Sequence, residues 1–458
     1  MQISMRLKAA PSGSGMIVSG TATVGGLSCF YEDSIGPYTV VLPTYGVDGG
    51  AAPNSVDSAG DVTIAALISN GGADIVIPGS ITYLISAPIA IPSGKTVRAA
   101  TGTTVVCKAL SSYAGSMFTM TFANSASLKN VTLDGNWTQR SAFEATSTYA
   151  IQIQGGSGNT VERCTFQNMP SFGVWNYNSN NCNVQYNQFS ECYHPIRADG
   201  NNLTASIAIT GNNFENTTAF RSIQGIELIN TVNATIMHNT LRGFGLTEPT
   251  AHGGEGTWGN CIYTFANSGL LIENNYCYSA YWSAVVVGQS STNAIVRRNY
   301  MSRGAFGGST GGLTAFWFEQ AAASGLRLRG NIINGEVFVG DTGGNNVIIE
   351  DNIITTEARG INVSFACTNG VIQRNTITCL SGSSEGVFLW EKHPAPISVD
   401  VLNNVINNFN IGIFTNNSGG AGTAFGLTVT GNTFSACSAT VTKPAALTYD
   451  ASCVIQAS

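Results

Sequence analysis

Two acidic residues and an arginine lie near one another in the sequence and could form a hydrolytic site. They are Asp199 and Glu227, with Arg197 two residues before the aspartate. On neighbouring parallel strands, with an offset of two residues, the two acidic Cα atoms would be about 8 Å apart. Inverting glycosidases hold their two carboxyl groups about 6.5–9.5 Å apart. The pair therefore predicts hydrolysis of a glycosidic bond by one general acid and one general base.

The predicted surroundings of the two carboxyl groups divide these roles between them. Apolar neighbours that include Tyr263 and Phe265 are expected to crowd Glu227, which favours its protonated form and makes it the acid. Asp199 lies beside Arg197 in the sequence, so it is expected to stay ionised and act as the base. The alternative for the same residues is an Arg197–Glu227 ion pair with Asp199 exposed to solvent.

Two further carboxylates are reserve candidates for catalysis. Glu255 lies in the glycine-rich segment 242–259, which also holds His252, and Glu319 follows Trp317 by two residues. Because His252 and Glu255 are not on a predicted helix, a zinc site is not expected there. No cluster of aspartates has the spacing of calcium ligands. We therefore expect neither a metal ion nor another cofactor.

Aromatic residues recur near these carboxylates and predict a surface for sugar rings. Sugar rings have apolar faces that stack on aromatic side chains, and hydroxyl groups that need carboxylate, guanidinium or amide partners. The alternative is that loops or neighbouring subunits cover these rings. The predicted substrate-binding residues are Trp175, Tyr177, Arg197, Tyr263, Phe265, Trp317 and Trp390.

A repeat with a mean spacing of about 27 residues must position these side chains. In each copy, such as 184–189 or 347–354, an alternating apolar stretch leads to an asparagine. One residue of any type and then an apolar residue follow the asparagine. The period is too short for a strand–helix–strand unit, so it predicts coils of short parallel strands stacked on one another. The anchor asparagines, predicted to form structural ladders, are Asn187, Asn212, Asn239, Asn274, Asn299, Asn331, Asn352, Asn375, Asn404 and Asn432.

A second series of strands is predicted to carry the candidate site on its outward side. Its residues alternate between apolar types, predicted to point inward, and more varied types, predicted to point outward. The residues two positions after the inward ones are predicted to be buried as well. The inward residues are Ile151, Val174, Ile196, Ile226, Ile262, Val285, Phe316, Val337, Ile361, Val387 and Ile413.

Composition limits the class of protein. Charged residues make up 10% of the chain and the net charge is −6, which excludes nucleic-acid binding driven by bulk positive charge. The 43% of hydrophobic residues can fill a large core, so a disordered chain is excluded too. The 11 cysteines form no Cys-x-x-Cys motif and are predicted to be small buried hydrophobes. No signal-peptide pattern and no long apolar run occurs, so membrane insertion is not expected.

Four segments are predicted along the chain. Residues 1–42 are rich in glycine and serine and form an attachment or linker segment. Residues 43–99 form a first coil that is capped by a helix over 58–70. Residues 100–435 form the stacked coils with the carbohydrate-binding and catalytic face, and residues 436–458 form a C-terminal tail.

Several short motifs follow one another where the repeat region begins. They are Tyr-Gly-Val-Asp-Gly at 45–49, the helix, Val-Ile-Pro-Gly at 76–79, Tyr-Leu-Ile at 83–85 and Pro-Ser-Gly at 92–94. This order resembles the opening of pectate-lyase-like right-handed parallel β-helix proteins, and most of all the type found in bacteriophage tailspikes and tail depolymerases. With the asparagine coils, the resemblance covers roughly residues 43–435. One departure from the family is that no C-terminal trimerisation domain is recognisable.

The resemblance implies an all-β, right-handed parallel β-helix with a short helical cap. It implies a homotrimer that binds, and usually cleaves, bacterial surface polysaccharide such as capsule or O-antigen. It also implies a virion protein that is assembled in the host cytoplasm, is attached to the phage tail or baseplate through its N-terminal segment, and acts at the bacterial surface. No nucleic-acid partner is implied.

Three functions fit these residues. The first is an endo-acting glycoside hydrolase that uses the carboxylate pair. The second is a polysaccharide lyase on the same scaffold, in which Arg197 with Tyr263, or His252, would neutralise a uronic acid and remove its proton. The third is a non-catalytic, receptor-binding or adhesive β-helix.

Overall fold

The structure, a computed structural model, describes most of the chain between residues 55 and 455. The described residues are 55–137, 148–201, 205–216, 224–244, 259–280, 282–303, 314–319, 324–340, 344–364, 367–391, 397–417, 426–442 and 454–455. Apart from one helix, their regular structure is β-strand, and strands of successive coils pair in parallel. Crossovers between parallel strands are right-handed in nearly all proteins. The fold is a right-handed parallel β-helix, which confirms the predicted fold class.

The chain divides into two units, one that ends at Ile262 and one that begins at Tyr263. The N-terminal unit contains, in order, β1 (Ser55–Asp57), α1 (Gly60–Asn70), β2 (Asp74–Ile77), β3 (Ile81–Ile85), β4 (Ile89–Ala90), β5 (Thr96–Ala99), β6 (Val105–Ala109), β7 (Ser116–Thr121), β8 (Ser127–Lys129), β9 (Thr132–Asp134), β10 (Tyr149–Gln154), β11 (Thr160–Glu162), β12 (Thr165–Tyr177), β13 (Cys182–Gln185), β14 (Gln188–Asp199), β15 (Ile207–Thr210), β16 (Asn213–Glu215), β17 (Gln224–Ile229), β18 (Thr235–Met237) and β19 (Thr240–Phe244). The boundary between the units falls within β20 (Asn260–Phe265).

The described part of the C-terminal unit continues with strands. They are β21 (Leu271–Glu273), β22 (Tyr276–Ala280), β23 (Val285–Val287), β24 (Ile295–Arg297), β25 (Tyr300–Ser302), β26 (Thr314–Glu319), β27 (Arg327–Arg329), β28 (Ile332–Asn334), β29 (Glu336–Gly340), β30 (Gly344–Asn345), β31 (Ile348–Glu350), β32 (Ile353–Thr356), β33 (Ile361–Ser364), β34 (Cys367–Gln373), β35 (Thr376–Cys379), β36 (Glu385–Glu391), β37 (Ile397–Leu402), β38 (Val405–Asn407), β39 (Ile411–Asn417), β40 (Gly426–Thr430), β41 (Thr433–Ser435), β42 (Ala439–Thr442) and β43 (Val454–Ile455).

Within each unit a typical coil contributes one strand to each of three sheet faces. We call face 1 the strands before the anchor asparagine, such as β13 and β31, and face 2 the strands after it, such as β16 and β32. Face 3 holds the next strands, such as β17 and β33, and carries the candidate site. In β12 and β14 one long strand runs through faces 2 and 3.

The helix α1 packs on the first coil. Ile64 and Ile68, four residues apart, lie on its buried face, as expected of an amphipathic surface helix. The ammonium group of Lys95 donates hydrogen bonds to the carbonyl oxygens of Ile68 and Gly71, which the helix itself leaves without partners. The predicted helix over 58–70 is confirmed. No helix of the described residues is both long and apolar enough to cross a membrane.

Inward side chains of face 3 fill the core as the alternation predicts. All the inward residues named from the sequence, from Ile151 to Ile413, have no exposed surface. The residues two positions further on, among them the polar Asn176 and Thr415, are at most 1% exposed. On face 2 the rings of Phe166, Phe189 and Phe214 stack at centroid distances of 4.5 and 4.7 Å. The strand register predicted for face 3 is therefore confirmed.

Buried asparagines form ladders through each unit, as predicted. Each Oδ1 accepts hydrogen bonds from the backbone N–H and the side-chain amide of the preceding asparagine, and each amide also donates to a backbone carbonyl. The N-terminal ladder contains Asn187, Asn212 and Asn239. At its start, the Oδ1 of Asn187 accepts a hydrogen bond from the backbone N–H of Cys164. The C-terminal ladder contains Asn275, Asn299, Asn331, Asn352, Asn375, Asn404 and Asn432.

One predicted anchor is wrong by a single residue. Asn275, and not Asn274, belongs to the ladder. Asn274 has φ of 55°, and the residue before every other anchor also has a positive φ, for example Tyr186 at 58° and Arg298 at 57°. The residue in the left-handed conformation turns the chain at the corner of the coil. This conformation is energetically unfavourable for residues other than glycine. The hydrogen bonds of the asparagine that follows offset this cost.

The described cysteines are free and mostly buried, which confirms their predicted role. Eight of the nine are buried, and Cys437 is partly exposed. Burial raises the pKa of the Cys164 thiol to about 12 and that of Cys182 to about 11. These thiols therefore stay protonated and behave as small hydrophobes.

Two strands lie in the segment 436–458, which the sequence assigns to a tail. β42 pairs in parallel with β39, and β43 pairs in parallel with β40. The strand pattern of the coils therefore continues past residue 435.

Candidate functional site

The predicted carboxylate pair lies on the outward side of face 3 in the N-terminal unit. Arg197 of β14 is the cross-strand partner of Trp175 in β12 and of Glu227 in β17. Asp199 is the partner of Tyr177 on one side and of Ile229 on the other. Asp199 and Glu227 thus lie on adjacent coils with an offset of two residues, as predicted.

One guanidinium group connects the two carboxylates. Arg197 Nε and Nη2 donate to Asp199 Oδ2 and Oδ1 at 2.8 and 3.0 Å, and Nη1 lies 3.3 Å from Glu227 Oε2. Burial opposes the charge of Arg197, but the hydrogen bonds to Asp199 and the charge of Glu227 outweigh it and raise the pKa of Arg197. The simple Arg197–Glu227 pair with a solvated Asp199 is not observed.

Asp199 is further held by an aromatic donor. The indole Nε1 of Trp175 donates to Asp199 Oδ2 at 2.7 Å, and the Asp199 side chain is only 15% exposed. Its carboxylate therefore has three hydrogen bonds from two neighbouring side chains. Two of these bonds come from a charged group, and such bonds are stronger than those between neutral groups.

A buried histidine lies behind Glu227. His194 Nδ1 is 3.5 Å from Glu227 Oε2. Burial, assisted by the positive charge of Arg197, lowers the pKa of His194 to about 3, so its ring is neutral at neutral pH. His194 therefore adds no positive charge to the site. This agrees with the structural role that its position before a proline suggests.

Aromatic side chains surround the guanidinium on its outward side. The rings of Tyr149 and Phe172 stack at 5.4 Å, and the Phe172 and Trp175 centroids are 5.9 Å apart. Arg197 Cζ lies 5.4 Å from the centre of the Phe172 ring, within the range of a cation–π contact. We call this group the Arg197 cluster; it comprises Arg197, Asp199, Glu227, Trp175, Tyr177, Phe172 and Tyr149.

The sequence identified five of these residues and missed two. Tyr149 precedes the inward Ile151 by two positions, so strict alternation would have placed it on the inward side, whereas in the structure it is half-buried. Phe172 follows an irregularity between Met169 and Phe172 in the pairing of β12 with β14. A bulge changes the direction of the side chains that follow it, and an alternating pattern cannot reveal it.

The other predicted site residues lie in different places. Tyr263 is only 8% exposed, so its ring is covered, and Phe265 is half-buried. Glu319 ends β26 opposite Gly340 and is half-buried, as is Trp390 opposite Ser364 and Asn416. Glu255 lies outside the described residues. The alternative reading of covered rings therefore holds at Tyr263, and also at Phe388, which is 4% exposed.

Trp317 lines a separate cleft within the C-terminal unit. The cleft has a volume of about 210 Å³, and we call it the tryptophan cleft. The Trp317 ring centroid is 6.2 Å from that of Trp282 and 5.9 Å from that of Phe338. Trp317, Phe338 and Asn362 are cross-strand partners on successive coils. The lining residues are Trp282, Thr314, Trp317, Glu336, Phe338 and Asn362.

A buried carboxyl group forms the polar part of this cleft. Glu336, at the start of β29, is 7% exposed. Its Oε1 accepts a hydrogen bond of 2.8 Å from Asn362 Nδ2, and its Oε2 accepts one of 3.4 Å from Thr314 Oγ1. Burial raises the pKa of Glu336, although the bond from Asn362 and the charge of Arg359 act in the opposite direction. The sequence did not single out Glu336.

Replacement of this group should change how stability depends on pH. A carboxyl group whose pKa is raised by folding stabilises the fold below its unfolded pKa, and that contribution is lost as the pH rises. We expect Glu336→Gln to match the native melting temperature near about pH 4 and to exceed it by a few degrees near about pH 8. Calorimetry across this range checks the prediction. A gap that is largest at low pH would contradict it.

No group of three or more His, Cys, Asp and Glu side chains is arranged to hold a metal ion within the described ranges. The Arg197 cluster consists of aromatic rings, two carboxyl groups and a guanidinium, and the tryptophan cleft consists of aromatic rings, one carboxyl group, one amide and one hydroxyl group. Side chains of this kind suit binding and proton transfer to an uncharged or acidic sugar chain.

Comparison with protein families supports the fold. A family described as a right-handed beta helix region matches residues 116–253. No curated protein matches the sequence.

Solved structures of several kinds of protein share the coil architecture. A tailspike protein double mutant of E. coli bacteriophage HK620 has a TM-score of 0.51 and 13% identity, over 82% of this chain and 73% of that chain. The surface adhesin PfbA of Streptococcus pneumoniae has a TM-score of 0.46 and 15% identity, over 79% and 89%. The catalytic domain of a GH87 alpha-1,3-glucanase in complex with nigerose has a TM-score of 0.44 and 16% identity, over 83% and 68%. At 13% identity the likeness to the tailspike protein shows the fold alone.

Proposed function

We propose that the protein binds a bacterial surface polysaccharide along face 3 and hydrolyses it at internal bonds in the Arg197 cluster. The observation that supports this most is the position of Asp199 and Glu227 on adjacent coils, held by one guanidinium beside half-exposed aromatic rings. Most glycosidases cleave the glycosidic bond with two carboxyl groups that lie in different environments.

The hydrogen bonds divide the two catalytic roles. Asp199, which accepts two hydrogen bonds from Arg197 and one from Trp175, is in the proposal the base that takes a proton from water. Glu227 has one longer contact with Arg197 and is 8% exposed. In the proposal, Glu227 gives its proton to the leaving oxygen while the water attacks the sugar carbon. The products are a new reducing end and a free hydroxyl group.

Aromatic rings in the cluster supply the binding surface. Trp175 and Tyr177 lie next to one another on β12, with ring centroids 5.8 Å apart. Both are half-buried, so part of each ring is available to a ligand. The apolar faces of sugar rings stack on such rings, and the sugar hydroxyl groups can reach the neighbouring carboxylates.

A non-catalytic adhesin is the second candidate. The observation that favours it is that Arg197 compensates both carboxylates, which is also how a structural ion-pair network looks. In that case the aromatic rings bind the polysaccharide and no bond is broken.

Cleavage assays on purified capsule and O-antigen polysaccharides test the proposal. We expect new reducing ends with the native protein, and at least about a hundredfold slower cleavage by Asp199→Asn and by Glu227→Gln, with binding retained. Asp74→Asn is the matched control, because Asp74 also forms a bidentate pair with an arginine, Arg98, but is exposed. Full activity in both site variants would contradict the proposal.

The products separate the competing functions. An unsaturated product that absorbs ultraviolet light would identify a lyase instead. Binding without new reducing ends or unsaturation would identify an adhesin.

The finer part of the proposal is that the protein is a phage tailspike-type depolymerase. It would be a homotrimer on the virion, attached to the phage tail or baseplate through residues 1–42, and would act on the capsule or O-antigen of the host. The likeness to a phage tailspike in fold supports this. Light scattering tests it, since a mass three times that of the chain is expected and a monomer would contradict the trimer.

A further inference from the structure

The tryptophan cleft shares no residue with the Arg197 cluster and carries a different kind of polar group. Its three aromatic rings form an apolar wall with angles of about 40° between neighbouring ring planes. The volume of about 210 Å³ is below that of a drug-sized pocket, so it suits a single ring-sized group.

Hydrogen-bonding groups converge on this apolar wall. The Trp317 indole N–H is buried and has no hydrogen-bond partner among the described residues. Glu336 and Asn362 form a hydrogen-bonded pair in the lining, and Ser364 Oγ donates to Asn362 Oδ1 at 2.8 Å.

Charge distinguishes this cleft from the Arg197 cluster. None of the six lining residues is a cation. The charged groups that act on Glu336 are Arg359 and Glu385, and they neutralise each other through a hydrogen bond of 3.0 Å. The Arg359 guanidinium also lies 4.0 Å from the centre of the Phe388 ring. A ligand that carries a carboxylate would find no counter-charge in the lining, whereas an uncharged ligand would bury its hydroxyl groups against Glu336 and Asn362.

We propose that the tryptophan cleft is a second carbohydrate-binding site, which holds one uncharged sugar unit against Trp317 with its hydroxyl groups bonded to Glu336 and Asn362. The proposal goes beyond hydrolysis in the Arg197 cluster, because the cleft can bind a sugar whether or not any bond is broken elsewhere. It also predicts which sugars are excluded, since uronic and sialic acids lack a cationic partner there.

Ligand-observed NMR with free monosaccharides tests the proposal on the full chain. The probes are glucose, galactose, mannose, rhamnose, N-acetylglucosamine and N-acetylgalactosamine, compared with glucuronic acid, galacturonic acid and N-acetylneuraminic acid. We expect saturation transfer to at least one uncharged sugar. Binding of none of the six, or stronger binding of the acidic sugars, would overturn the proposal.

Variants place that binding in the cleft. Trp317→Ala should weaken the affinity about tenfold or more, and Trp317→Phe, which keeps a ring but lacks the N–H, should weaken it less. Phe414→Ala is the matched control, because Phe414 is a half-buried outward ring of face 3 that does not line the cleft. Saturation transfer in Trp317→Ala and new reducing ends in Asp199→Asn are measured separately, so failure of this site and failure of the proposed hydrolysis are distinguishable. Unchanged affinity in a folded Trp317→Ala protein would overturn the proposal.

The pH dependence of binding gives a second readout. Because burial raises the pKa of Glu336 and a bound sugar would bury it further, the affinity should fall as the pH rises from about 5 to about 9. Glu336→Gln should bind with an affinity that is nearly constant over the same range. An equally steep fall in this variant would mean that another group titrates, which would overturn the role of Glu336.

Discussion

Asn352→Leu is expected to destabilise the protein by about 3–6 kcal/mol, because it removes four hydrogen bonds between buried groups, one of which the Asn352 amide donates to Asn375 Oδ1 at 2.9 Å. In the native protein Asn352 is 1% exposed, and its Oδ1 accepts from the backbone N–H and the side-chain amide of Asn331, both at 2.9 Å. Its own amide donates to the carbonyl oxygen of Leu328 at 3.0 Å. Leucine has nearly the same shape, so little space opens for water to replace these bonds. Denaturant unfolding followed by circular dichroism measures the loss.

An exposed asparagine in the same unit is the control for this substitution. Asn410 is exposed, and its side chain takes no part in the ladder. Asn410→Leu should change the free energy of unfolding by about 0.5 kcal/mol or less. If the two variants lose similar stability, the ladder does not contribute what its hydrogen bonds indicate.

Arg197→Met is the second substitution with a large expected effect. It leaves Asp199 and Glu227 without their shared cation, in a setting where their side chains are only 15% and 11% exposed. Breaking a fully buried pair costs about 3–5 kcal/mol, and because Arg197 is 31% exposed we expect about 2–4 kcal/mol. The loss should grow with pH. Without the guanidinium, the two carboxyl groups bind protons at higher pH in the folded variant than in its unfolded chain. The variant should therefore approach native stability near about pH 4.

Arg98→Met is the matched control. Arg98 forms the same bidentate contact, with Nε and Nη2 at 2.9 and 2.8 Å from Asp74, and it is 30% exposed. Its partner Asp74 is 54% exposed, however, so water can solvate the carboxylate when the arginine is gone. We expect a loss of at most about 1 kcal/mol. Equal losses in the two variants would show that burial of the carboxylates does not govern the cost.

The coil architecture could be predicted because one physical requirement repeats in every coil. An inward apolar pair on face 3 and an asparagine at a corner recur often enough to align the strands by eye. That alignment agrees to the residue with the strand pairings of the structure, for example Arg197 with Glu227 and Trp317 with Phe338. The error at Asn274 arose where two asparagines adjoin, since only the φ values distinguish the turn residue from the anchor.

The site could be predicted only in part, because its chemistry depends on side-chain geometry between coils. The pattern placed Asp199 and Glu227 together but could not show that Arg197 would bond both of them. It also gave no reason to select Glu336, which precedes an inward valine at the start of β29. Its burial and its bond from Asn362 arise only when successive coils are stacked.

In the asparagine ladder, the number of residues in a coil does not determine the distance between that coil and the next. Asn331 and Asn352 are 21 residues apart in the sequence, and Asn299 and Asn331 are 32 apart. Both pairs are nevertheless joined by hydrogen bonds of 2.9–3.0 Å between their side-chain amides. The number of residues between two anchors therefore does not change the rise from one coil to the next. Segments of different length could therefore be exchanged between two anchors. Ligand preference can then diverge while the scaffold stays the same.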